Sequence, residues 1–272
     1  MINKIKKLKI IAKYLRQQII EISFEKKAHH IGSQFSCVEI ITSLYFHVMN
    51  ISPRNINDPN RDWFFLSKGH AALIQYLALS KKEFFSYKVL CKEFLSNGGK
   101  LGSHPDYKTL PGIEISSGSL GHCLSIAAGI ALAKKRDKLK GNVYVLLSDG
   151  ECNEGMVWEA AMFAAHHNLN NLIGIIDHNK FQALGKNKDI IKLNSLSTKF
   201  KSFGWISKEI DGHNISEIIK NFNFSNKKNK KPRMLIANTI KGKGAKSIEG
   251  KLSSHYEIIK DKKRKNKLLN EL

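Results

Sequence analysis

A three-layer α/β fold, with a mainly parallel sheet between helices on both faces, is what this 272-residue sequence predicts. Continuous apolar runs at 143–147, 172–177 and 234–239 have the length and composition of strands buried on both sides. The segments around them carry helical spacing instead. Strands that alternate with helices favour parallel neighbours joined by right-handed crossovers, and ligands then bind beyond the carboxyl ends of the strands.

At the amino end, Ile5, Leu8, Ile11, Leu15, Ile19 and Ile22 recur at helical spacing between Lys and Arg residues. That stripe predicts a core-facing helix, not a leader or a membrane span. Val38, Ile41, Leu44, Tyr45 and Val48 predict a second helix over 37–49, ended by Ser52-Pro53. A short apolar run at 64–66 precedes Ser67-Lys68-Gly69-His70, which puts His70 at the entrance of a helix over 71–80. Residues 96–119 hold five Gly and two Pro, so a long loop of the functional kind is expected. Helices follow over 120–135 and 156–168. The domain is expected to span 1–250, with a basic, peripheral segment at 251–272, where the chain becomes mostly charged and polar.

The formal charge of +22 would attract phosphates, nucleic acid or an acidic partner. Its lysines, clustered at 227–233 and 260–267, have no aromatic residues interleaved for base stacking, so solvated lysine faces are expected and nucleic acid is disfavoured. Cys37, Cys91, Cys123 and Cys152 form no CxxC pair; neither a zinc site nor a disulfide framework is expected, and a reducing, cytoplasmic setting fits.

The chemistry lies at two predicted strand ends. Ser148-Asp149-Gly150-Glu151 follows the first run and Asp177-His178-Asn179-Lys180-Phe181 closes the second, with 30 residues between Asp149 and Asn179. One βαβ unit of that length brings a carboxylate and an amide oxygen to the same sheet edge. Magnesium takes hard oxygen ligands, usually one or two from protein with phosphates and water completing the shell. Gly150 lets a phosphate approach, and the amides of Gly150 and Glu151 can point at it. Either segment alone reads more readily as an ordinary Asp-Gly turn or an Asn cap after a strand.

Together they resemble the thiamine-diphosphate motif of transketolases, a GDG followed about thirty residues later by Asn. Further stretches match that family in order: His30-Ile31-Gly32, Ser67-Lys68-Gly69-His70, Gly102-Ser103-His104-Pro105, Gly118-Ser119-Leu120-Gly121, Glu154-Gly155, Asp211-Gly212-His213 and Lys241-Gly242-Lys243-Gly244. The resemblance covers about residues 10–255. It implies the thiamine-diphosphate-binding fold and transfer of a two-carbon ketol unit from a ketose to an aldose, with thiamine diphosphate and Mg2+ as cofactors. Asp149, Asn179 and the carbonyl of Phe181 would then hold the metal. Gly150, Glu151, His70 and His255 would contact the diphosphate, and Gly118 and Leu120 would line the cofactor's rings. His30, His70 and His104 become the catalytic imidazoles, suited to moving protons near neutral pH. Glu154 would join a carboxylate network between two active sites.

Ser148 departs from the family's first Gly, His29 stands where Gly is usual, and Cys123 replaces a common Gly. His47, His166, His167 and His178 match no family position and are expected to be surface or cap residues. Full-length transketolases carry a second thiamine-binding domain with a catalytic Glu. The resemblance therefore implies a separate C-terminal subunit supplying that Glu and the pyrimidine pocket, with phosphorylated, branched or nucleotide-linked sugars as the expected substrates. Two other readings stand beside this one: the α-type subunit of a thiamine-dependent 2-oxo acid dehydrogenase, and a non-catalytic basic relative of the fold.

Overall fold

The computed structural model describes residues 2–222 and 230–272; part of the lysine cluster predicted at 227–233, residues 227–229, lies outside them. Helix α1 (Ile2–Lys26) buries Leu8, Leu15, Ile19 and Ile22, so the interrupted stripe is a core face with a solvated back. Helix α2 (Ile31–Ser36) precedes the second predicted helix, which itself divides into α3 (Val38–Ser43) and a π-helical turn, Leu44–Val48. After a 3-10 turn at Pro53–Asn55, whose amino end Ser52 and Asn55 close in a reciprocal capping box, come β1 (Trp63–Leu66), a 3-10 turn at Gly69–Ala71 and α4 (Ala72–Lys81). Helix α5 (Tyr87–Glu93) leads into the Gly- and Pro-rich loop, whose only pairing among the described residues is a bridge from Phe94 to Leu101.

Helix α6 (His122–Arg136), strand β2 (Val143–Ser148), helix α7 (Gly155–His166) and strand β3 (Leu172–His178) then build the predicted βαβ unit. Next come α8 (Asn187–Ile190), α9 (Leu196–Ser202), β4 (Ile206–Asp211), α10 (Ile215–Phe222), β5 (Arg233–Asn238) and α11 (Lys262–Asn270). All five strands are parallel, in the order β1-β2-β3-β5-β4. Strand β4 escaped the sequence reading because it lies at the edge: Lys208 and Glu209 face solvent and break the apolar run.

Side chains alternate across the sheet into two cores. Tyr144, Leu146, Leu235 and Ala237 pack with α1, α3, α4 and α10, whereas Val143, Val145, Leu147, Met234 and Ile236 pack with α6, α7 and α9. This alternation makes the three layers. Of residues 251–272, Ile259 and Leu268 are fully buried in the first core, and Lys265 pairs with Glu21 of α1 at 2.9 Å. Among the described residues no helix is long and apolar enough to cross a membrane.

Register fixes what happens at the functional edge. Ser148 lies opposite Asp177 and Asp177 opposite Ala237, so β2, β3 and β5 release their following loops side by side.

Candidate active site

Asp149 and Asn179 leave adjacent strands and their loops are stitched together. Asp149 Oδ1 accepts from the Gly150 amide at 2.8 Å, and Oδ2 accepts from the Lys180 amide, across the gap, at 2.6 Å. Asn179 Nδ2 donates to Asp177 Oδ2 at 3.1 Å, which fixes the amide's orientation, and its Oδ1 accepts from the Phe181 amide at 3.1 Å. Burial, then the neighbouring Asp177, raises the Asp149 carboxyl above its ordinary range. A divalent cation would relieve both causes. Among the described residues no group of three or more His, Cys, Asp or Glu is placed to hold a metal; a carboxylate, an amide oxygen and a carbonyl form a different set, the hard-oxygen one suited to magnesium.

In front of these tips opens a cavity of about 540 Å³, lined by His30, His70, His104, Gly118, Leu120, Gly150, Glu151, Asn179, Phe181 and His255. Every sequence-predicted site residue reaches its wall except Asp149, which lies fully buried behind it. Gly118 has φ +134°, and a Cβ there would sit 2.9 Å from His104 Cδ2, so the glycine lets that ring close over the backbone. At Gly150 a Cβ would meet Gln182 Cγ at 2.6 Å. A larger space of about 700 Å³ lies beyond Asn179 and Phe181, walled by Lys180, Lys186, Lys188 and Lys192. It lacks the convergent imidazoles that mark a reaction site.

Four imidazoles gather from four distant segments. The His30 ring lies 4.7 Å from that of His255, 5.6 Å from His70 and 6.2 Å from His104. His30 holds a left-handed backbone, φ 70°, and its amide donates to the His255 carbonyl at 3.0 Å. Its Nδ1 is buried without a hydrogen-bond partner. Burial, then His104 and His29, lowers His30 to about 4; burial, then Lys241 and His30, lowers His255 to about 3. His70 is pushed well down by burial and then Lys68, and His104 down by burial. All four are neutral at pH 7, able to accept a proton or donate one. We expect NMR ring-proton shifts of His30 and His255 to stay flat from pH 8 to below 5. Because the unfolded chain gains those protons near 6.5, the cluster should erode stability as pH falls from 6.5 towards 4.

Sequence reasoning gave no role to the two lysines that the fold buries here. Lys68 pairs with Asp177, and its Nζ donates to the Ser33 carbonyl at 2.9 Å. Lys241 Nζ lies 3.1 Å from both Ser33 Oγ and His255 Nδ1; burial, then Lys68, lowers it to about 8. Their flanking glycines were the visible signal, but nothing in sequence tells buried lysines from solvated ones. The Glu151 carboxylate is likewise engaged, by Ser67 Oγ, the Gly121 amide at 2.8 Å and the Ser148 amide at 3.1 Å. Its backbone is therefore what it offers the cavity.

Of the departures, Ser148 lines the cavity and Cys123 is buried in the core beneath α6. His29 is exposed, with Nδ1 3.1 Å from the Tyr256 carbonyl oxygen. His166 is exposed, and His178 bonds Asn238 Oδ1 at 3.1 Å.

A cavity at the carboxyl edge of a doubly covered parallel sheet is the place where α/β proteins of this class bind their ligands. Residues 8–268 match the family described as "Transketolase, thiamine diphosphate binding domain", and the chain belongs to it. One of the named subunits of the apulose-4-phosphate transketolase of Phocaeicola vulgatus is 39% identical, covering 89% of this chain and 86% of the relative. A 6-deoxy-6-sulfo-D-fructose transketolase subunit of a Clostridium species is 41% identical over 90% and 88%. The transketolase structure from Campylobacter jejuni superposes with TM-score 0.85 at 28% identity, covering 99% of this chain and 43% of that one. The chain thus spans about two fifths of the solved transketolases it matches.

Proposed function

We propose that this chain is the thiamine-diphosphate-binding subunit of a two-chain transketolase that moves a two-carbon ketol unit from a ketose to an aldose. The observation that carries the proposal is the convergence of Asn179 and four neutral imidazoles on one cavity at the sheet edge, with Asp149 directly behind its wall and bonded across to the Lys180 amide. Asp149, Asn179 and the Phe181 carbonyl would hold Mg2+. The Gly150 and Glu151 backbone, His70, His255 and Lys241 would meet the diphosphate, whose charge suits the lysine's ammonium. When bound, thiamine diphosphate supplies the carbanion stabilisation that cleaving a sugar C–C bond requires. His30, His70 and His104 exchange protons with sugar hydroxyls through their ring nitrogens, while Gly118 and Leu120 pack against the cofactor's rings. Glu154, beside Gly121, is the residue for a network between active sites.

Relatives named as subunits are covered over most of their length, while a one-chain human transketolase is covered over 40%. The subunit names support a heteromer with a separate partner chain, to which we assign the pyrimidine pocket and the catalytic Glu. Those subunits' names specify sugars bearing phosphate or sulfonate. The +22 charge favours anionic sugars here as well.

Thermal unfolding and turnover of the chain with its partner provide the test. At a hundredfold excess over Kd, Mg2+ and thiamine diphosphate should add about 2.7 kcal/mol of stability, and ketose phosphate should be consumed only when both subunits are present. Absence of cofactor protection would defeat the proposal; turnover of pyruvate without ketose would favour the 2-oxo acid dehydrogenase reading.

A further inference from the structure

Arg16 and Glu39 are buried charged groups outside the cavity, and the half-buried His213 joins them. They come from α1, α3 and the turn between β4 and α10. Arg16 forks onto Glu39, Nη1 to Oε1 at 2.6 Å and Nη2 to Oε2 at 2.9 Å, and His213 Nδ1 lies 3.0 Å from Oε2. Burial would raise the Glu39 carboxyl, but His213 and Arg16 hold it down to about 2. A buried ion cluster is weak evidence of net stabilisation, since desolvation offsets the attraction.

What the cluster reaches is more informative. His213 Nε2 accepts from the Ile240 amide at 2.8 Å, and Arg16 Nε donates to the Lys243 carbonyl at 2.8 Å. These contacts bracket Lys241. Gly244, at φ +108°, leaves room for Arg16: a Cβ there would lie 2.8 Å from Nε. On the other side, the Gly242 amide donates to the Gly32 carbonyl at 2.9 Å and the Gly250 amide to the Lys241 carbonyl at 2.8 Å. The turn is held from both sides, with the Lys241 ammonium against Ser33 and His255.

We propose that the Arg16–Glu39–His213 triad is a positioning device for Lys241, clamping the 240–244 turn so that the ammonium stays in the cavity. The lysine's use for a diphosphate rests on the function proposed above; its positioning does not.

Two variants separate the clamp from the charges. Arg16→Lys keeps a cation opposite Glu39 and lacks the Nε donor to Lys243. His213→Asn keeps an N–H for Glu39, but its amide is too short to place an acceptor where Nε2 meets the Ile240 amide. Competitive acetylation of the full chain across pH, read at Lys241 by mass spectrometry, gives the amine's titration midpoint. In the parent it should lie near 8, because burial and Lys68 lower it against the opposing pull of Asp177 and Asp149; His30, His70 and His255, the rings around it, stay neutral there.

A released ammonium regains water, so both variants should move the midpoint up by at least about one unit, towards the ordinary 10.4. A triad with only a structural role would lower the unfolding midpoint and leave the Lys241 titration unchanged, which overturns the proposal. Should either variant unfold, Gly244→Ala, which crowds Arg16 from the turn, must produce the same upward shift or the proposal fails. If the midpoint moves in the variants while the parent with its partner binds no Mg2+–thiamine diphosphate, the positioning stands and the proposed function falls.

Discussion

Asp149→Asn is expected to remove cofactor binding while leaving the unliganded fold intact. The carboxylate is fully buried beside Asp177, and burial and that neighbour make the Asp149 charge costly until a cation arrives. An amide of the same shape removes one of those charges. It keeps one acceptor for the Gly150 and Lys180 amides and sets an N–H against the other, so the two local effects oppose each other. The unliganded unfolding midpoint should therefore stay close to the parent's. Magnesium affinity is another matter, because loss of a group merely supporting a metal ligand costs roughly 10–100-fold, and loss of a charged ligand should cost more. Calorimetric titration of Mg2+–thiamine diphosphate into the two-subunit assembly should show a drop of at least about a hundredfold, with ketol transfer falling in parallel. Binding at parental affinity would remove Asp149 from the metal site.

The same carboxylate shows what the sequence reveals and what it conceals. Strands β2, β3 and β5 were legible because both faces are buried and the runs are continuous; their order along the chain then placed Asp149 and Asn179 on one edge. Strand β4 was not legible, since only Ile206, Ser207 and Ile210 turn inward among charged neighbours. Nor was the change from α3 to the π-helical turn at Leu44–Val48, because the apolar spacing stays helical across 37–49. Helix α11 hides Leu268, fully buried, among Lys and Asn. At the cavity, short motifs pointed to His30, His70 and His104, because Gly and Pro mark the turns that carry them, whereas His255 stands among Ser and Tyr with no such marker. Charge compensation was beyond reach: whether Lys68, Lys241 or Arg16 is buried depends on which distant carboxylate the folded chain supplies.

Lys68→Met should be the most damaging single change to the fold. The parent pair is fully buried, and Asp177 also accepts from Ser36 Oγ and Thr239 Oγ1. Burial pushes the Asp177 carboxyl up, but Lys68, followed by the hydroxyl donors, more than offsets this and leaves it below the ordinary range. Lys68 is held above its own range: burial lowers it, and Asp177, Cys37 and Asp149 together outweigh burial. In the parent, the depressed carboxyl contributes stability above pH ~3.8 that is lost as pH falls through its folded value. The raised amine contributes stability below about 10.5, lost as pH rises through its folded value. Deleting the amine strands a buried charge at a cost of about 3–5 kcal/mol, a large share of the roughly 5–15 kcal/mol typical of a domain.

The pH dependence then reverses sign. With the lysine gone, the Ser36, Thr239 and Asn179 donors are left to oppose burial. Asp177 in the variant should lean towards its protonated form, so the variant regains stability as pH falls from 7 towards 5, where this carboxylate leaves the parent's stability unchanged. Adding Asp177→Asn removes the stranded charge and should recover more than half of the loss at pH 7. Urea unfolding at both pH values checks these signs; a deficit independent of pH and unrelieved by the second substitution would mean that packing, not charge, is what Lys68 supplies.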